Sequence, residues 1–122
     1  MLIKELYEIA SFTENDGLVE AAVKLNKNHK VFKGHFPGNP IMPGVCMVQL
    51  VKELTEKSLK KELFLSTVSN VKFMAIINPE KNETIQVTLA ISEEEGSIRV
   101  KNTVSFEDTL ALKLNATFKI SA

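Results

Sequence analysis

One segment limits the fold of this chain more than any other. From Pro43 to about Lys60 the apolar residues Val45, Cys46, Met47, Val48, Leu50, Val51 and Leu54 recur at helical spacing and occupy nearly every face. A helix that is apolar on most faces has to be buried, so the rest of the chain must cover it. Pro43 suits the first helical turn, where its missing N–H has no intrahelical partner to lose, and Lys52, Glu53, Glu56, Lys57 and Lys60 mark the solvent-facing end. The basic run from Lys57 to Lys61 falls where cations complement the negative end of the helix dipole. The other periodic segments are β-like. Leu6 to Phe12 and Leu18 to Leu25 read as strands joined through Glu14-Asn15-Asp16-Gly17. Leu63 to Ile77, Thr84 to Ser92, Ser97 to Phe106 and Thr109 to Ile120 follow, separated by turn-prone Asn78-Pro79-Glu80-Lys81-Asn82, Glu93 to Gly96, and Glu107-Asp108. Ile85, Val87, Leu89 and Ile91 alternate with polar or small neighbours, as do Leu110, Leu112 and Leu114, which predicts one buried and one wetter face. Strands, one long apolar helix, then a run of antiparallel strands predicts an α+β fold, a sheet wrapped around a helix, with residues 1–122 forming one domain.

A chain of 122 residues removes roughly two-thirds of its unfolded surface from water on folding, so 44% hydrophobic residues suffice for a core without staples. The single Cys46 has no partner for an internal disulfide, and with His29 and His35 it supplies too few ligands for a structural zinc site. A reducing cytoplasm is the expected compartment. Lys and Arg number 15 against 15 Asp and Glu, and the lysines are scattered among glutamates. Nucleic-acid affinity comes mainly from clustered cations on phosphates, so no nucleic-acid partner is expected. The opening Met1-Leu2-Ile3-Lys4-Glu5-Leu6 lacks a long apolar run and no stretch approaches 18 apolar residues, so neither export nor membrane spanning is expected.

The chemistry concentrates in Gly34-His35-Phe36-Pro37-Gly38-Asn39-Pro40-Ile41-Met42-Pro43-Gly44-Val45, which holds three prolines and three glycines in twelve residues. Such a loop is stiff. It holds one imidazole, able to titrate near neutrality, just ahead of a helix start whose unpaired N–H groups can polarise a carbonyl oxygen. That is the layout of a carbonyl-activating site. Over these twelve residues the chain resembles the active-site loop of the (3R)-hydroxyacyl-acyl carrier protein dehydratases, a family of the hotdog fold. Val71-Lys72-Phe73 and Asn78-Pro79 resemble that family's strand and Pro-containing turn ahead of three meandering strands.

The resemblance implies that His35 acts on the proton of the substrate's α-carbon while the backbone N–H of Gly44 binds the thioester carbonyl. An imidazole removes so weakly acidic a proton only if the developing enolate oxygen is stabilised. The family's second catalyst is a Glu or Asp fourteen residues after the histidine, and that position here is Gln49. An amide can donate a hydrogen bond to the β-hydroxyl but supplies no proton at neutral pH. Three readings follow. His35 alone shuttles the proton while Gln49 orients the substrate. Alternatively Glu53, four residues on and over the same helix face, replaces the acid. In the third, elimination is lost and the chain is a thioester-binding subunit of a competent paralogue.

Phe36, Met42, Pro43, Val45 and Phe73 are expected to line the substrate site with Gly44, and Met47 and Ile41 to contribute to an acyl tunnel or to plain core. Cys46 lies at a helix start, where a thiol gains acidity, yet its apolar neighbours predict packing. His29, in Asn28-His29-Lys30, reads as an exposed turn residue, and Glu93-Glu94-Glu95 as a solvated strand end. A small sheet on one helix leaves an edge and an apolar strip in need of cover. The resemblance implies a homodimer, or a higher homo-oligomer, with each pocket between subunits, so that His35 faces the Gln49 of a second copy. It further implies an acyl carrier protein as partner, docking on basic residues such as Lys30, Lys33 or Lys72, and no cofactor beyond the phosphopantetheine or coenzyme A that carries the acyl group. The expected activity is lyase chemistry on (3R)-hydroxyacyl or enoyl thioesters. A silent binding subunit and an acyl thioesterase are the alternatives.

Overall fold

A computed structural model of the chain describes residues 6–29, 42 and 44–120. Six strands, β1 (Tyr7–Asn15), β2 (Leu18–Leu25), β3 (Leu63–Phe73), β4 (Thr84–Glu94), β5 (Ser97–Phe106) and β6 (Thr109–Ile120), form one antiparallel sheet in the order β1-β2-β4-β5-β6-β3. The helix α1 (Gly44–Leu59) lies between β2 and β3 in the chain. Alternation along the strands buries Val19, Ala21, Val23 and Leu25 of β2, Ile85, Val87 and Leu89 of β4, Ile98, Val100 and Val104 of β5, and Leu112, Leu114, Ala116 and Phe118 of β6. These join Cys46, Met47, Leu50, Val51 and Leu54 of α1 in one core cluster, so the sheet's inner face is the cover the helix required. This is the α+β hotdog architecture.

The hairpin turns decide where strands end. Asp16 and Gly17 both have positive φ (49° and 82°), as do Glu95 and Gly96 (51° and 80°). Two left-handed residues make a turn whose twist matches the flanking strands, so each strand runs up to it. Hence β1 continues to Asn15 and β4 to Glu94, beyond the Phe12 and Ser92 limits expected from sequence. At Gly17 the left-handed conformation is reinforced by contact, because a Cβ there would lie 2.7 Å from the Ile91 carbonyl oxygen.

Two further expectations are corrected. Leu110 does not join the buried face with Leu112 and Leu114, because the β5–β6 register shifts between Val104 and Ser105 and puts the extra residue, Ala111, into the core while Leu110 is exposed. The same bulge ends β3 at Phe73 rather than Ile77, since the N–H groups of Met74 and Ala75 both donate to the Ala111 carbonyl, at 2.8 and 3.2 Å, and leave the ladder.

α1 is not buried all round either. Its covered stripe is Cys46, Met47, Leu50, Val51, Leu54 and Thr55, whose hydroxyl donates to the Val51 carbonyl at 2.7 Å, while Val45 is 74% exposed. A sheet covers one side of a helix.

Candidate active site

The helix starts at Gly44, and the first N–H groups of any α-helix have no partner within it. No acidic residue sits in the first turn to neutralise that positive end. Met42, buried just ahead of it, donates its N–H to the Ile77 carbonyl at 2.9 Å, which ties the approach to the helix to the segment after β3. Phe73, the last residue of β3, leans over the helix start, since a Cβ on Gly44 would lie 3.2 Å from its Cζ. The lack of a side chain at Gly44 lets an aromatic ring approach the end of the helix. Phe73 is more than half exposed in the lone chain.

Val45, Gln49 and Glu53 follow one another at i, i+4 spacing and so share one helix face. Gln49 is half-buried and donates from Nε2 to Glu53 Oε2 at 2.8 Å. The Tyr7 hydroxyl, from the first residue of β1, donates to Glu53 Oε1 at 2.5 Å. Glu53 is therefore no solvent-facing charge, as its place in the polar half of the helix suggested, but the centre of a hydrogen-bonded trio. Burial pushes the Tyr7 phenol well above its ordinary range, and the Glu53 carboxylate beside it, by hydrogen bond and by charge, pushes it further, with Glu56 adding to the effect. Tyr7 stays protonated and remains a donor. It also lines an open cavity of about 740 Å³ bounded by Lys24, Leu25, Asn28 and Glu83.

The structure thus brings Phe73 against Gly44 at the start of α1, while Val45 and Gln49 share a helix face one turn apart and Met42 is buried just ahead of the helix. His35, Phe36 and Pro43, and with them Lys30, Lys33 and Ile41, lie outside the described residues. Cys46 is buried, and burial pushes its thiol pKa up, so it packs rather than reacts. His29 is a turn residue as expected but half-buried rather than exposed, its N–H donating to the Asn26 carbonyl at 3.0 Å. Among the described residues no group of three or more His, Cys, Asp or Glu is placed to hold a metal. Tyr7 is the residue that sequence reasoning missed. The available signal was its status as the sole tyrosine, since a buried phenol needs a polar partner.

A family model described as ApeI-like, ApeI dehydratase, matches residues 11–113. The chain belongs to the ApeI-like dehydratase family. Its relatives include the 3-hydroxyacyl-[acyl-carrier-protein] dehydratase FabZ of Rickettsia rickettsii (strain Sheila Smith), 36% identical over 102 residues that cover 76% of this chain and 69% of that protein. Two solved structures share the fold of this family member. The dehydratase heterocomplex ApeI:P from Xenorhabdus doucetiae superimposes with a TM-score of 0.72 at 19% identity, covering 95% of this chain and 98% of that one. A hypothetical thioesterase from Streptococcus pneumoniae, solved with coenzyme A, gives 0.68 at 15% identity, covering 95% and 86%. At such identities the two structures establish architecture alone.

Proposed function

We propose that this dehydratase-like protein eliminates water from (3R)-hydroxyacyl thioesters, and hydrates enoyl thioesters in reverse, with the acyl group carried by acyl carrier protein. What carries the reading is the run from Gly34 to Val45 opening into a helix that begins at Gly44, in a chain of this family. The N–H of Gly44 receives the thioester carbonyl and stabilises the enolate that forms when the His35 imidazole takes the α-proton. The Cα–H and Cβ–O bonds break, the double bond forms, and the proton taken from carbon leaves with the hydroxyl as water. His35 carries that proton, because the amide of Gln49 has none to give. Phe73 and Val45 supply apolar wall.

The active unit in this reading is a homodimer. β3 is an edge strand that exposes Phe64, Leu65, Val71 and Phe73, and Met74 and Ile76 continue the strip. An apolar edge of that length invites a second copy, and in the arrangement the family resemblance implies, His35 of one copy faces Gln49 of the other. Docking of an acidic carrier protein is served by Lys72, exposed on β3 directly opposite Lys113 of β6, a like-charge pair relieved by an anionic partner.

The presence of Gln49 favours one competing reading, a silent thioester-binding subunit beside an active dehydratase, and the structurally similar ApeI:P is itself a heterocomplex. Hydration of an enoyl thioester by the purified chain separates the two. Turnover that His35→Ala abolishes supports the lyase, whereas binding without turnover supports the silent subunit. Release of free thiol in the same assay would instead identify a thioesterase.

A further inference from the structure

The Tyr7–Glu53–Gln49 trio has a direction built into it. An ionised carboxylate only accepts hydrogen bonds, so both oxygens of Glu53 need donors, and they find them in the Tyr7 hydroxyl and in Nε2 of Gln49. The amide of Gln49 has two ends, and only its nitrogen end can face that carboxylate, because its oxygen would set lone pairs against lone pairs. Gln49 lies one turn nearer the helix start than Glu53, so the edge turned away from Glu53 is the one on the side of Val45 and Gly44. With Tyr7 fixing one oxygen from a different element of the fold, the carboxylate is not free to swing out and release the amide.

Resting on the lyase reading above, we infer that Glu53, anchored by Tyr7, is a positioning residue that turns the carbonyl oxygen Oε1 of Gln49 toward the substrate as a hydrogen-bond acceptor. A site built this way selects a substrate whose β-carbon bears a donor. A β-hydroxyl offers its O–H to Oε1, whereas a β-oxo group brings only lone pairs and is disfavoured. Glu53 is therefore not a replacement for the missing acid: both its oxygens are engaged as acceptors, and it acts only through Gln49. Gln49 in turn holds the leaving hydroxyl by its hydrogen and leaves the hydroxyl oxygen open to the proton returning from His35.

The test uses the full chain and two probes of equal acyl length, a (3R)-3-hydroxyacyl and a 3-oxoacyl pantetheine thioester. Wild type binds the hydroxyacyl probe more tightly. In Glu53→Gln the neutral side chain accepts either end of the Gln49 amide, so the preference falls about tenfold, the scale of one oriented hydrogen bond. Tyr7→Phe, which leaves the carboxylate unanchored, falls part of the way. The side-chain amide protons of Gln49, followed by NMR, shift in both variants, and the emission of the sole tyrosine, quenched by its carboxylate partner, rises in Glu53→Gln. A preference unchanged in Glu53→Gln at unaltered melting temperature overturns the inference. So does an equal loss of both probes, which marks Glu53 as structural. If wild type binds neither thioester, the lyase reading falls, and indifference of the Gln49 amide protons to Glu53→Gln would independently refute the positioning role.

Discussion

At the scale of single residues, the unusual feature is a phenol and an amide that both donate to one carboxylate at the rim of the core. A hydrogen bond to a charged acceptor contributes about 1.5–3 kcal/mol net, against about 0–1 kcal/mol for exposed ion pairs such as Lys24–Glu83, so the trio outweighs the surface charges around it. Its sign with pH follows from the phenol. In the unfolded chain Tyr7 loses its proton near pH 10, while in the fold burial and Glu53 hold the proton on. Below about pH 10 both states are protonated and the stabilisation is whole. Above it the unfolded chain binds fewer protons than the native one, so stability falls as pH rises. Because the protein has one tyrosine and no tryptophan, absorbance near the phenolate band reads Tyr7 alone. The expected titration shows no ionisation around pH 10 in native protein and normal ionisation in denaturant. Ionisation at the ordinary pH in the native state would show that the phenol is not held by Glu53.

At the scale of elements, the meeting of α1 with the end of β3 shapes the candidate site. The bulge at Ala111 draws Met74 and Ala75 out of the ladder and leaves Phe73 as the last paired residue, against the open Cα of Gly44. Gly44→Ala separates the helix from the site. Gly44 opens the helix, where the interior preference for alanine is small, and the ring a methyl would meet at 3.2 Å belongs to a half-exposed residue free to move a few tenths of an ångström. Thermal stability is therefore expected to hold or rise slightly, while the Michaelis constant for thioester substrate rises severalfold as the ring shifts over the helix end. A variant with unchanged kinetics would show that Phe73 does not wall the substrate. The length of α1, the burial of its inner stripe and the places of β5 and β6 were all legible, because apolar spacing and two-residue turns are local signals. The parity of Leu110 was not, since a bulge is settled by the neighbouring strand.

At the scale of the whole molecule, the sheet covers one side of α1, and among the described residues the exposed apolar side chains include Val45 of α1 and the outer strip of β3. Phe64 is half-exposed in the lone chain and outside the buried core, which makes Phe64→Glu a probe of the β3 edge. Its expected effect is a shift from dimer to monomer in sedimentation or light scattering, with loss of thioester turnover at low protein concentration and little change in the far-ultraviolet circular dichroism. A variant that stays dimeric and active would place the subunit contact elsewhere. From the sequence alone came the α+β class, the helix and the strands of the meander, because periodicity records constraints carried by neighbours along the chain, while the family resemblance of the Gly/Pro-dense motif named Gly44 and Gln49 as candidates. The tertiary structure alone decided which face of the helix is covered, where Phe73 comes to rest, and that Tyr7 and Glu53, 46 residues apart, share a hydrogen bond, with Gln49 also donating to that carboxylate. Contacts of that kind depend on strand order and helix rotation, which no local pattern encodes.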